Sequence, residues 1–460
     1  MTELRTVAVI DVGKTNAKIA LIAAEDGEEL ALRKVATNVR TDGPYPHFDV
    51  GRTWDFLLDA LAGLHREARI DAISTTAHGS AGAFIADETD GDGLALPILD
   101  YEFAGPDELS AEYEAVRPDF SESLSPRLPG GLNLGAQIFW QQRRFPDSVR
   151  AAAAYVNYPQ YWAWRLTGVA ATEMCSMGAH SDLFNPRTQK WSSLVARMGW
   201  EKMLAPLRPA FDRLGPLRPE LASTLGLDAA VPILCGIHDS SASLLPHLKK
   251  RAPPFVVVST GTWVILFAAG GDVANLDPAR DTLANVSALG DPVPCARFMG
   301  GREFELLTEN SATEASEADL KRVLARSIMA LPTFAAGVGP FPASAGRWSV
   351  DPAALSAAER NAAASLYLAL VTAESIRCAG GSGPVIIEGP FARNRIFCAA
   401  LAAIGPHEVV PSETSTGTTL GAALLATGRT AKRPAPPAGI APLAHPALAA
   451  YVQAWRRMAG

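Results

Sequence analysis

The residues best suited to chemistry lie in short polar breaks between apolar runs. The first break is Asp11-Val-Gly13-Lys14-Thr15-Asn16, which ends an apolar stretch starting at Val7 and precedes Ala17, Lys18 and a second apolar run to Ala23. This pattern reads as strand, hairpin tip and strand. Gly13-Lys14-Thr15 has the ending of a P-loop, but that signature also needs an earlier glycine, where Ala8 stands, and a helix directly afterwards, where a strand pattern follows. What remains is a tight turn whose backbone N–H groups, Thr15 and Asn16 side chains and Lys14 ammonium suit an anionic oxygen. Asp11 would repel a phosphate held there unless a cation lies between them, so it is the candidate Mg²⁺ residue, acting through water. An aspartate bonding its own turn is the plainer alternative.

The same unit returns half a chain later: apolar Phe255 to Val258, the small-residue turn Ser259-Thr260-Gly261-Thr262, then apolar Trp263 to Ala268. A recurring strand-turn-strand unit is what a duplicated domain would leave behind. Two such hairpins, one per domain, can face each other across a cleft and clasp a triphosphate.

A third break follows the apolar Val231 to Leu234: Gly236-Ile-His238-Asp239-Ser240, with a helix expected from Asp239. Transfer of a phosphoryl group to an alcohol needs one group to orient the hydroxyl and accept its proton, and Asp239 is the candidate. Aspartate is also a favoured N-cap and could do no more than start the helix. Two further clusters, Ser74 to Gly82 with His78 and Gly79, and Asp100-Tyr101-Glu102, could line a small polar ligand or be ordinary loops.

Elements of an α/β protein must hold these breaks in place. Trp54 to Glu67 and Ala353 to Arg377 carry apolar residues at helical spacing. The Pro/Gly-rich loop Leu124 to Gly135 lies between them, and the Pro/Ala-rich Arg429 to Pro446 reads as a tail laid over the surface. A length of 460 residues exceeds a single core, and the division is expected near residue 245, giving domains 1–245 and 246–430 and a tail 431–460. The composition, 48% hydrophobic and 19% charged, argues against disorder. A net charge of −7 without long like-charge runs offers nothing to nucleic acid or an anionic membrane. Five scattered cysteines, none in a CxxC pair, and no signal-peptide pattern lead to the expectation of a cytoplasmic protein with reduced thiols.

Taken together, Asp11-Val-Gly-Lys-Thr-Asn-Ala-Lys18, Ser259-Thr-Gly-Thr-Trp263 and Gly236-Ile-His-Asp239 resemble the two phosphate loops and the catalytic segment of the FGGY carbohydrate kinases, over about residues 6 to 427. Thr53-Trp-Asp55 and Tyr161-Trp-Ala-Trp-Arg-Leu-Thr-Gly168 are similar to the rhamnulokinase group. The resemblance implies two ribonuclease H-like (actin-like ATPase) domains with an interdomain cleft, and an enzyme using ATP and Mg²⁺ to phosphorylate a ketose or polyol. It implies Asp239 as base, with Gly79, His238, Ser240 and Asn285 about the sugar, and His78 and Asp100 of the two polar clusters join them as candidates. It assigns Gly13, Lys14, Thr15, Asn16, Lys18, Ser259, Thr260, Gly261 and Thr262 to ATP, and Gly389 and Asn394 to the adenosine pocket. The expected partners are a small sugar and ATP, with a homodimer as the assembly to test. Lys14 stands where a small residue is expected, Pro390 interrupts a run expected to be glycine, and Leu99-Asp-Tyr-Glu-Phe103 departs from the segment that goes with L-rhamnulose. The rivals on this fold are an actin- or chaperone-type ATPase and a non-catalytic sugar sensor.

Overall fold

The computed structural model describes residues 4–87, 91–412, 417–428 and 438–460. The chain forms two compact units. The first comprises Met1–Arg251, Ala284–Pro292 and Thr416–Arg433; the second comprises Ala252–Leu283, Val293–Ser415 and Pro434–Gly460.

The sheet of the first unit is built on β1 (Thr6–Val12), whose seven residues are all buried. It pairs antiparallel with β2 (Asn16–Ala23), which pairs antiparallel with β3 (Glu29–Ala36). On its other side β1 runs parallel to β4 (Ala72–Ala77), again wholly buried. Beyond β4 come β5 (Arg213–Pro216), β6 (Pro232–Leu234) and β7 (Ile237–His238); β6 and β7 run parallel to β4 and β5 antiparallel to β6. Strands buried on both faces read as continuous apolar runs, which is why Val7 to Ile10 is so uniform. The amphipathic helix Val50–Glu67 covers one face through Leu57, Leu61 and Leu64. The helices Asp239–Lys250 and Gly417–Thr427 lie close together, Gly421 leaving no room for a side chain against the Ala242 backbone.

The second unit repeats the plan. β8 (Phe255–Thr260) pairs antiparallel with β9 (Val264–Ala269), which pairs antiparallel with β10 (Pro292–Phe298). β8 runs parallel to β11 (Val385–Glu388), and β11 to β12 (Val409–Pro411). The order β3-β2-β1-β4-β6 thus recurs, with the same strand directions, as β10-β9-β8-β11-β12. The core of this unit forms around the 22-residue helix Ala357–Cys378, started by a Ser356/Glu359 capping box.

Two expectations about boundaries meet this arrangement. A division at 245/246 falls inside the helix Asp239–Lys250, and the segments 284–292 and 416–433 group with the first unit. Of the expected Pro/Ala-rich tail, residues 429–437 lie outside the described residues. Leu448–Ala459 is a helix whose Tyr451 and Trp455 are core residues, donating hydrogen bonds to the carbonyls of Ile328 and Ala330 at 2.8 and 2.7 Å. Its apolar residues at helical spacing override the flanking Pro/Ala composition.

Gly236 shapes the entry to β7. Its φ is +87°, and a Cβ there would overlap the Thr75 side chain and backbone. Gly236→Ala should therefore destabilise the first unit by at least ~2 kcal/mol, from positive-φ strain and overpacking together. An earlier urea transition would show this; an unchanged midpoint would mean the turn relaxes freely.

Candidate active site

The C-terminal ends of β1, β4 and β7 come side by side, in register from Asp11 to Thr76 and from Thr76 to Ile237. Each ends in a polar residue of the sequence reading: Asp11 on β1, His78 after β4, and Asp239 after β7. Strand ends of this kind are where α/β proteins place their chemistry.

Asp11 lies two residues before the hairpin loop and is 7% exposed. Its Oδ2 is 3.1 Å from Nζ of Lys18, its register mate on β2. Burial pushes the carboxyl up to about 6; Lys18 counters this and the charge of Asp239 adds to it.

Asp239 is the first residue of its helix, and the capping position belongs to His238, which makes no side-chain cap bond. The carboxylate is instead engaged laterally. Its Oδ1 accepts from Ser240 Oγ at 3.2 Å and lies 3.2 Å from His238 Nε2. Burial raises its proton affinity, with His78, Ser240 and Lys18 opposing. One third of its side-chain surface stays open, so a ligand can reach it.

The two histidines are held as neutral acceptors. His78 Nδ1 lies 2.8 Å from the Gly79 carbonyl, which can only accept, so Nδ1 carries the hydrogen and Nε2 a lone pair. His238 Nε2 lies 3.2 Å from Asp239 Oδ1, and the tautomer that avoids setting a lone pair against that carboxylate carries its hydrogen on Nε2 and its lone pair on Nδ1. His78 Nε2 and His238 Nδ1 are buried without a hydrogen-bond partner. Burial lowers the pKa of both, that of His238 to about 4. Gly79 lies against His238: a Cβ there would come 2.7 Å from Nε2.

Asn285, far away in sequence, belongs to the same unit, and its buried Oδ1 also lacks a partner. The next residue, Val286, accepts at its carbonyl from Ser241 Oγ at 2.9 Å, tying this segment to the helix of Asp239. Asp100 is 6% exposed and pairs with Lys14, whose Nζ is also 3.2 Å from Glu102. The first hairpin is closed by a 2.8 Å bond from Gly13 N–H to the Asn16 carbonyl, and Asn16 Nδ2 donates to Thr15 Oγ1.

In the second unit Ser259 and Thr262 are exposed, whereas Thr260 turns inward. Its Oγ1 donates to the Glu388 carbonyl at 2.5 Å and accepts from Phe391 N–H at 3.1 Å. The second hairpin is thus tied to the Gly389 loop, where a φ of +84° and contact with Thr260 require glycine. Asn394 caps the helix Arg395–Ile404, accepting from Phe397 N–H at 2.9 Å while its Nδ2 donates to Ser365 at 2.9 Å. Its amide is engaged at both ends within the protein.

Sequence reasoning did not single out the aromatic rings about His78. Phe48, Tyr101 and Tyr158 have ring centroids 5.1, 5.2 and 5.0 Å from its imidazole. Only Tyr101 carried a signal, through its acidic neighbours.

A twice-used sheet, an acid at the end of the first strand of one copy and a second acid opening a helix beside it define an actin-like phosphotransferase fold. Residues 6–246 match the model for the FGGY family of carbohydrate kinases, N-terminal domain, and residues 252–435 that for the carbohydrate kinase FGGY, C-terminal domain. The solved structure of a carbohydrate kinase from Novosphingobium aromaticivorans is similar at 34% identity and a TM-score of 0.90, covering 99% of both chains. This chain belongs to the FGGY family of carbohydrate kinases, which are ATP:sugar phosphotransferases. An L-fuculokinase from Haemophilus influenzae is 27% identical over 276 residues, 56% of this chain and 57% of its own length. A rhamnulokinase from Oceanobacillus iheyensis is 29% identical over 123 residues, 26% of this chain and 25% of its own length. The chain thus spans about half or less of the length of these curated relatives.

If Gly79 is there to let His238 approach, Gly79→Ala should leave the fold intact, because a side-chain end can move, and should raise the sugar KM by roughly tenfold through a displaced imidazole. A wild-type sugar KM would show that His238 does not need its present position.

Proposed function

We propose that this protein transfers the γ-phosphate of ATP to a hydroxyl of a neutral ketose or polyol, rhamnulose-, fuculose- or xylulose-like, with Asp239 as general base. The observation that carries the reading is the pairing of a reachable, desolvated carboxylate with buried lone pairs on His78 and His238. A buried acceptor without a donor is costly, and a sugar supplies donors. In the reaction the acceptor oxygen bonds to phosphorus, the bond to the ADP oxygen breaks, and the hydroxyl proton passes to Asp239.

Charge favours a neutral substrate. Lys14 and Lys18 face Asp11, Asp100, Glu102 and Asp239 in the same unit, two cations against four carboxylates. A sugar acid would add a fifth negative charge to this region.

The Ser259–Thr262 turn, with Ser259 and Thr262 exposed, and the first hairpin are each assigned to ATP phosphates. Among the described residues no cluster of three or more His, Cys, Asp or Glu forms a metal cage. Asp11, a single buried carboxylate at a strand end, fits Mg²⁺ held largely through water, as that ion commonly is. Bound there, Mg²⁺ would neutralise phosphate charge as it develops. The charge of Asp239 raises the proton affinity of Asp11, a repulsion that a cation relieves.

The proposal includes a cytoplasmic setting and leaves a homodimer to be tested by light scattering. Among the described residues no helix is long and apolar enough to cross a membrane.

A panel of ketoses and polyols with Mg-ATP tests the reading directly, and sugar-independent ATP turnover would favour an ATPase instead. On the best sugar, Asp239→Asn should lower kcat by at least ~100-fold while ATP still binds, the lower end of general-base effects. Near-normal turnover would remove Asp239 as base.

The pH profile has a definite sign. Asp239 must be ionised to accept a proton, and burial raises its pKa, so kcat/KM should rise with pH along an acid limb above the ordinary carboxylate range of about 4. Because a cation favours the ionised forms, raising Mg²⁺ should move that limb to lower pH, and Asp11→Asn should abolish the movement. A limb indifferent to Mg²⁺ in the wild-type protein would argue against a metal at Asp11.

A further inference from the structure

Lys14 belongs by sequence to the first phosphate hairpin, yet its side chain is committed elsewhere. Its ammonium ion-pairs with Asp100 and lies 3.2 Å from Glu102, and it is only 19% exposed. It also sits over two rings, 5.3 Å from the centroid of Phe48 and 4.9 Å from that of Tyr101. Those rings pack on His78 at 5.1 and 5.2 Å. The ammonium therefore shares its walls with a histidine of the candidate sugar site, and its charge is one of those acting on His78. A lysine already facing two carboxylates and two π faces has little net charge left for phosphate.

We infer that Lys14 is a positioning residue for the sugar and not a phosphate ligand: its ammonium pins the Asp100-Tyr101-Glu102 segment beside His78. This rests on the kinase reading above. Asp100 Oδ1 takes both Lys14 Nζ and the Glu102 N–H. That leaves Oδ2 as an acceptor for a sugar hydroxyl, alongside the lone pairs of His78 and His238. Without Lys14, Asp100 and Glu102 would repel each other, and the segment would lose the cation that sets both Asp100 and the Tyr101 ring.

The test is the split between two Michaelis constants on the best sugar of the panel. Lys14→Met should raise the sugar KM by at least ~10-fold, the low end for loss of a charge-assisted hydrogen bond, with the ATP KM within ~2-fold of wild type. Lys14→Arg, which keeps the charge, should recover most of the loss. In a double-mutant cycle Lys14→Met and Asp100→Asn should be non-additive in sugar KM, because they break one pair. A raised ATP KM with an unchanged sugar KM, or additive effects in the cycle, would overturn the inference while leaving the kinase reading standing. Should Lys14→Met fail to fold, Asp100→Asn and Glu102→Gln carry the same test from the other side of the pair. A wild-type protein inert toward every sugar would instead sink the kinase reading itself, and this inference with it.

Discussion

Two carboxylates share one poorly solvated region, and most of what surrounds them follows from that. Burial raises the proton affinity of both Asp11 and Asp239, the charge of Asp239 adds to the rise at Asp11, and Lys18 is the cation that opposes the rise at both. Like charges in a low dielectric persist only where the fold fixes them in place. Here the fixing is done by backbone. Asp11 is locked in register between β2 and β4, and Asp239 is carried into position by β7, which follows a positive-φ glycine packed against Thr75. The histidines answer the same constraint. Burial keeps them neutral, so they add no cation to the region and offer lone pairs instead. An acceptor-rich, net-negative region of this kind favours hydrogen-bond donors and cations.

What the sequence made legible was whatever the backbone dictates locally. Asp11, Gly13, Gly236 and Asp239 stand at strand ends because apolar runs stop there, and the hairpins could be read from alternation and small-residue turns. The equivalence of the two sheets followed from one repeated hairpin. What could not be read depended on chain segments meeting from far apart. Nothing around Phe48 or Tyr158 says that their rings will flank His78. Likewise nothing in Ala284 to Val286 says that this stretch will bond, through Ser241, to the helix of Asp239. Lys14 was legible as a cation but not by direction, since its partners are about ninety residues away and its neighbours in sequence point to phosphate. Asn394 was named for its place in a motif, and its helix-capping role was not read from the sequence.

The two copies of the sheet also show how one scaffold divides its chemistry. Counting back from each hairpin loop, Asp11 on β1 has Ser259 as its counterpart on β8, and Lys18 on β2 has Ile265 on β9. On the neighbouring parallel strand, the register mate of Asp11 is Thr76, whereas that of Ser259 is Glu388. The same two register positions therefore hold acid and hydroxyl in the first unit and hydroxyl and acid in the second. This exchange has an electrostatic consequence. A carboxylate on the strand that feeds a hairpin opposes any phosphate gathered by the loop amides, so the first hairpin suits phosphate only together with a cation. The second hairpin has a hydroxyl there and no lysine in its turn, so its amides and hydroxyls can meet phosphate oxygens without a charge on their own strand. The two hairpins keep the same place in their sheets, and the exchange of acid and hydroxyl between neighbouring strands makes them electrostatically unlike.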